Sequence, residues 1–154
     1  MIKNDQQFRI TKAKLADMAA RIDRLRKKHP KQSDFRFYSE TTRNQVAQMQ
    51  RELEWYALAK EGDVDALIAL WNERGSLRPQ SKDDLALGDL LALLRVARGM
   101  KQEDLAKTLG IEQAHVARYE RHDYTGYSLD SLDRLLGALG VRLTLGKEEL
   151  EQAA

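Results

Sequence analysis

The run Gln102-Glu-Asp-Leu-Ala-Lys-Thr-Leu-Gly-Ile-Glu-Gln-Ala-His-Val-Ala-Arg-Tyr-Glu constrains the fold of this chain more than any other stretch. Leu105, Ala106 and Leu109 recur at helical spacing and give a short first helix one buried face. Gly110 follows where the chain must turn sharply, a place for a left-handed C-cap that only glycine adopts without cost. Val116 and Tyr119 then anchor a second short helix to the first, and the small Ala106 lets the two approach closely. This leaves Gln113, Ala114, His115, Arg118 and Arg121 pointing outward on the second helix.

Around this pair the spacing predicts further helices from Leu85 to Arg98 and from Leu129 to Leu139, the latter stopped by Gly140. Ser128 is placed to cap the last of them. The alternating Val141-Arg-Leu-Thr-Leu reads as a short C-terminal strand, and residues 147–154 as a flexible tail. Toward the N-terminus, Leu15, Met18, Ile22 and Leu25 form a stripe between Thr11, an expected N-cap, and Lys28. Val46, Met49, Leu53 and Tyr56 form a second stripe between Thr41 and Lys60, with Gly62 as its C-cap. Residues 29–40 read as the connection, and each stripe is narrow enough to need a partner. A third short helix carries Val64, Leu67, Ile68 and Trp71. The expected fold is therefore all-α: a helical hairpin module over 1–75, a linker over 76–84 rich in Ser, Arg, Pro and Gln, and a module of at most five helices over 85–146 with its short terminal strand.

The helix–Gly–helix run resembles the Xre, or lambda-repressor-like, helix-turn-helix family, in its Gln-x-x-Leu-Ala-x-x-Leu-Gly-Ile spacing and its closing Tyr119-Glu120, over about Leu87 to Leu139. The resemblance implies sequence-specific binding of double-stranded DNA. It gives Gln102 a phosphate contact and gives Gln113, Ala114 and Arg118 the reading of base edges. The residue types suit that task, since glutamine grips adenine bidentately, arginine grips guanine, and alanine meets the thymine methyl. Lys101, His115 and Arg121 are expected on phosphates, where they position the protein without specifying sequence. Arg95 and Glu120 match a helix-bracing pair of the family, and a carboxylate facing phosphate would be repelled. The chain departs from the family pattern where Lys101 and Glu112 stand in place of the common Ser, Thr or Asn caps, and where Arg121-His122-Asp123 follows Glu120 in place of a short Gly-containing turn.

Within that family the chain is similar to HigA-type antitoxins, which carry extra helices beside the DNA-binding unit, and its ending is similar to HipB-type antitoxins, in which a terminal strand pairs across a dimer axis. The resemblance thus implies an autorepressing regulator, a homodimer joined through Val141, Leu143 and Leu145, and a toxin protein as a further partner. A symmetric pair would read two half-sites roughly 34 Å apart in a palindromic operator. The N-terminal hairpin then serves either to dimerise or to hold a partner, and the alternative for the whole chain is a protein-docking module in which DNA binding is secondary. The basic run Arg21, Arg24, Arg26, Lys27, Lys28 and Lys31 is read as a solvated helix face, with non-specific DNA contact as the other possibility. The loop from Asp123 to Ser128 either touches DNA backbone or packs on the fold.

Composition narrows the rest. The net charge is only +2, so DNA binding has to come from where the basic residues sit. There is no cysteine, and three scattered histidines make no convincing metal site, so neither a metal nor a cofactor is expected. Glu112-x-x-His115 is a lone pair with no nucleophile or phosphate loop beside it, so no enzyme activity is expected. Met1 to Gln7 has no signal-peptide core, and Leu85 to Leu94 is interrupted by Gly88-Asp89 and too short to span a bilayer. The expectation is a cytoplasmic protein with no membrane partner.

Overall fold

A computed structural model describes residues 1–77, 80–81 and 84–144. The fold is all-α, with seven helices and one very short strand pair among the described residues. Helix α1 runs over Asp5–Lys28 and α2 over Gln32–Glu61, and the two lie against each other as a long hairpin. The start of α1 lies well before Thr11 because Asn4 caps it, its side chain accepting from the Gln7 N–H at 2.9 Å. Its last turn carries Arg26, Lys27 and Lys28, which complement the negative end of the helix dipole.

The expected twelve-residue connection is in fact a three-residue turn, His29-Pro30-Lys31, and residues 32–40 are helical. The seam there is made by small polar residues instead of an apolar stripe. Ser39 and Thr42 are buried, Arg26 lies 5.0 Å over the Phe35 ring, and His29 stacks on Tyr38 at 4.3 Å. Gly62 ends α2 in the left-handed conformation, φ 78°. Helix α3, Val64–Arg74, follows at once, capped by Asp63, whose side chain accepts from the Ala66 N–H at 2.9 Å.

Strands β1, Gly75–Ser76, and β2, Leu85–Ala86, pair in parallel, Gly75 with Leu85 and Ser76 with Ala86. Helix α4, Leu87–Ala97, is the centre of the molecule: every residue from Leu90 to Arg95 is buried, because α2, α3 and α6 pack around it. Gly88 is where the loop after α6 comes closest, and a Cβ there would sit 2.6 Å from Asp123 backbone atoms. Helices α5, Gln102–Leu109, α6, Gln113–Arg121, and α7, Leu129–Ala138, complete the fold. Ser128 caps α7, accepting from the Ser131 N–H at 3.1 Å.

Residues Val141 to Thr144 form no strand: among the described residues the strands are Gly75–Ser76 and Leu85–Ala86, which pair with each other, and an isolated strand with no ladder partner is not stabilised; Leu145 lies outside the described residues. The core runs without a break from Ile2 through Trp55, Tyr56 and Leu67 to Leu91, Leu105, Val116, Leu135 and Leu139. Ile2 is 1% exposed, so the extreme N-terminal segment is packed into the same core as the helices from α4 onward. No described helix is long and apolar enough to cross a membrane.

Candidate nucleic-acid interface

The turn between α5 and α6 is built by a doubled hydrogen bond. Gly110, φ 68°, donates to the Lys107 carbonyl at 3.2 Å, and Ile111 donates to the Ala106 carbonyl at 3.0 Å. Ala106, whose carbonyl takes part in this turn, is buried. Lys101 offers no capping oxygen. Asp104, three residues on, substitutes for one by accepting from the Lys101 backbone N–H at 2.8 Å, and its charge lies in the first turn where the dipole favours it.

On α6, Val116 and Glu120 are buried, whereas Gln113, Ala114, His115, Arg118 and Arg121 are exposed. At about 100° per residue, Ala114, His115, Arg118 and Arg121 fall within an arc of about 120° on one face, and Gln113 lies about 80° beyond it, on the side that meets Gln102 of α5. There the Gln113 side-chain amide donates to Gln102 Oε1 at 3.4 Å. Lys101 is exposed at the α5 start and Gln102 is half-buried. All seven residues expected to touch DNA therefore lie on α5, α6 or the residue preceding α5.

Behind this face lies a buried polar network. Arg95 of α4 donates from Nε to Glu120 Oε1 at 2.5 Å and from one terminal nitrogen to Glu120 Oε2 at 3.1 Å. The same guanidinium donates to the Met100 carbonyl at 2.7 Å and to the Lys3 carbonyl at 3.2 Å. Arg95 and Glu120 are 5% and 1% exposed, a depth at which a charge requires a hydrogen-bonded partner. Gln102 Nε2 also donates to Glu120 Oε2 at 2.9 Å, so Gln102 bridges the buried pair to the exposed Gln113. The position of the outward glutamines is thus set from inside the protein.

Lys3 is the member of this assembly that the sequence did not reveal. Its ammonium contacts the Glu120 carbonyl oxygen, the Asp123 carboxylate at 2.8 Å and the Asp89 carboxylate at 3.8 Å. Burial pushes the Asp89 carboxyl above its ordinary range, with Lys3 acting in the opposite direction. Lys3 therefore ties the N-terminal segment to the C-terminal end of α6. No helical period or motif marks a lysine at that position, and its partners are more than eighty residues distant in sequence.

The loop beyond α6 packs on the fold. Asp123 and Tyr124 have positive φ, 51° and 56°, and Tyr119, Tyr124 and Tyr127 pack ring against ring with centroids 4.6 to 6.3 Å apart. Tyr124 is 7% exposed, and burial raises its phenol well above the ordinary tyrosine range. Thr125 is exposed and Tyr127 half-buried at the rim.

Among the described residues, no group of three acidic or histidine side chains is placed to hold a metal ion. Residues 91–145 match the helix-turn-helix family, of the Xre and lambda-repressor-like type. That match supports a DNA-binding regulator. No curated protein and no solved structure matches the chain.

Proposed function

We propose that this protein is a sequence-specific transcriptional repressor that binds a palindromic operator as a dimer and represses its own promoter, in the manner of the antitoxins it resembles. The observation that carries the proposal is the exposed face of α6, with Gln113 held beside Gln102 and Ala114 and Arg118 unobstructed. In this reading Gln113, Ala114 and Arg118 meet base edges in the major groove, and Gln102, Lys101, His115 and Arg121 meet phosphates. Arg95 and Glu120 brace the scaffold. Val141, Leu143 and Leu145 pair with their copies in a second chain, which would give the terminal segment the edge it lacks alone. In this reading residues 1–75 are a hairpin that dimerises or binds a partner, and residues 85–146 are the reading unit.

The test is selection of bound sequences from randomised duplex DNA, followed by titration of the enriched site with the Gln113→Ala/Arg118→Ala variant at fixed salt. Enrichment of a palindrome that the variant no longer prefers supports the proposal. Equal affinity of wild type and variant for all duplexes refutes the base-reading assignment. A second reading, a protein-docking module that holds a toxin or other partner, draws on a different observation: Phe37 and Tyr38 at the hairpin end are 76% and 54% exposed. Its signature would be stable binding of a protein encoded beside this one, lost on Phe37→Ser/Tyr38→Ser while operator binding persists.

A further inference from the structure

The charges of this chain are unevenly placed. Residues 85–144, which include the whole helix-turn-helix, carry eight Lys or Arg and eight Asp or Glu, a net charge of zero. Residues 9–43, most of the hairpin, carry eleven Lys or Arg against four Asp or Glu, a net charge of +7. Affinity for duplex DNA rests mainly on neutralising phosphates and releasing their counterions. A net-neutral reading unit is poorly supplied for that, whereas the hairpin beside it is strongly basic.

The basic side chains of α1 are available. Arg21, Arg24, Arg26, Lys27, Lys28 and Lys31 are all exposed, and among the described residues none of them makes an ion pair. At about 100° per residue, Lys14, Arg21, Arg24 and Lys28 lie within an arc of about 80°, a continuous stripe along about 21 Å of helix. The far end of the hairpin adds Arg36 and Arg43, which line the cleft between α1 and α2 together with Arg26.

The hairpin is also rooted at the reading unit. The residues that lead into α1 are fixed to the end of α6, through Lys3 on the Glu120 carbonyl and Asp123, and through the Lys3 carbonyl on Arg95. From that root, 24 residues of helix reach about 36 Å, close to one full turn of duplex.

We propose that the α1–α2 hairpin is a second DNA-binding surface, an arm that lies along the phosphate backbone and supplies most of the electrostatic affinity, while α6 supplies the sequence preference. The proposal rests on the DNA-reading function above and adds to it the source of the salt dependence. The arm contributes no base contacts. It holds the protein on DNA of any sequence and keeps α6 close to the groove.

The test uses the full chain and the duplex enriched by selection. The observed binding constant is measured over a series of salt concentrations for wild type, for Arg21→Gln/Arg24→Gln/Lys28→Gln, and for Arg118→Ala. Glutamine keeps the helix propensity and much of the length of the side chains it replaces, and far-ultraviolet circular dichroism verifies the fold. If the arm contacts phosphates, the triple variant loses about 2 to 3 from the slope of log K against log salt, binds at least tenfold more weakly at low salt, and keeps the wild-type ranking of operator variants. Arg118→Ala does the reverse in kind, losing the ranking with a slope change of about 1 or less. A triple variant with wild-type slope and affinity overturns the arm while leaving the DNA-reading function intact, and leaves an acidic protein as the occupant of the basic face. Absence of DNA binding by the wild type removes both.

Discussion

Replacing Arg95 by methionine is expected to destabilise this protein severely. The substitution keeps much of the buried aliphatic volume but removes four hydrogen bonds, two to Glu120 and one each to the carbonyls of Met100 and Lys3. Glu120, 1% exposed, would be left with Gln102 as its remaining side-chain partner. Breaking a buried pair from one side costs about 3–5 kcal/mol, a large part of the roughly 5–15 kcal/mol that holds a domain together. With a urea dependence of about 2 kcal/mol per molar, the unfolding midpoint should fall by about 2 M. Urea titration followed by circular dichroism measures this directly. The decisive comparison is the double variant Arg95→Met/Glu120→Leu. With both charges gone, the penalty should be well below the sum of the two single penalties, by at least about 1 kcal/mol. Additive losses, or a single-variant loss under about 1 kcal/mol, would show that the pair is not the buried brace its geometry describes.

Two glycines in helices should respond with opposite signs. Gly88→Ala places a Cβ 2.6 Å from Asp123 backbone and should cost about 1–3 kcal/mol, whereas Gly137→Ala in α7 meets nothing within 4 Å and should stabilise by about 0.5–1 kcal/mol; thermal unfolding of both variants checks the contrast. Burial and the hydrogen bond to Asp5 push the Tyr56 phenol up to about 12. The stability this represents is fully present below pH about 10 and is lost as pH rises through 12, so phenolate absorbance should show a late-titrating tyrosine that in Tyr56→Phe is missing. Arg118→Ala should leave the unfolding free energy from urea titration within about 0.5 kcal/mol of wild type, since its side chain is exposed and its modest contact is the Tyr119 ring at 5.6 Å. A larger loss would mean that Arg118 is structural.

The helix-turn-helix was legible because its signals are local. Gly110 fixes one turn, Leu105, Ala106, Leu109 and Val116 fix the buried faces, and α5 and α6 occupy the residues that this spacing implies. The hairpin was less legible. Residues 32–40 carry no apolar stripe, and what holds them helical is the packing of two long helices over Ser39 and Thr42, a contact hydropathy does not register. The start of α1 carries little signal, because Asn4 caps it ahead of the polar Asp5-Gln6-Gln7, before any apolar repeat begins. The chain's described strands lie at Gly75–Ser76 and Leu85–Ala86, two residues each, too short for any alternation to form. On the candidate DNA face the sequence identified which side chains face outward, but not that Gln102 connects Gln113 to a buried ion pair, nor that Lys3 is held at the end of α6.

The pairing of Gly75 with Leu85 and Ser76 with Ala86 also defines a place where the chain can be lengthened. The backbone leaves at Ser76 and returns at Leu85 as a neighbouring strand, so the two ends of the connection are held together by the pairing itself. Extending such a loop costs only about 0.6 kcal/mol per doubling of its length. Peptide tags, fluorophore sites or whole inserted domains can therefore be accommodated there while α3 and α4 keep their mutual packing, and divergence in length between related chains is expected to accumulate at this point.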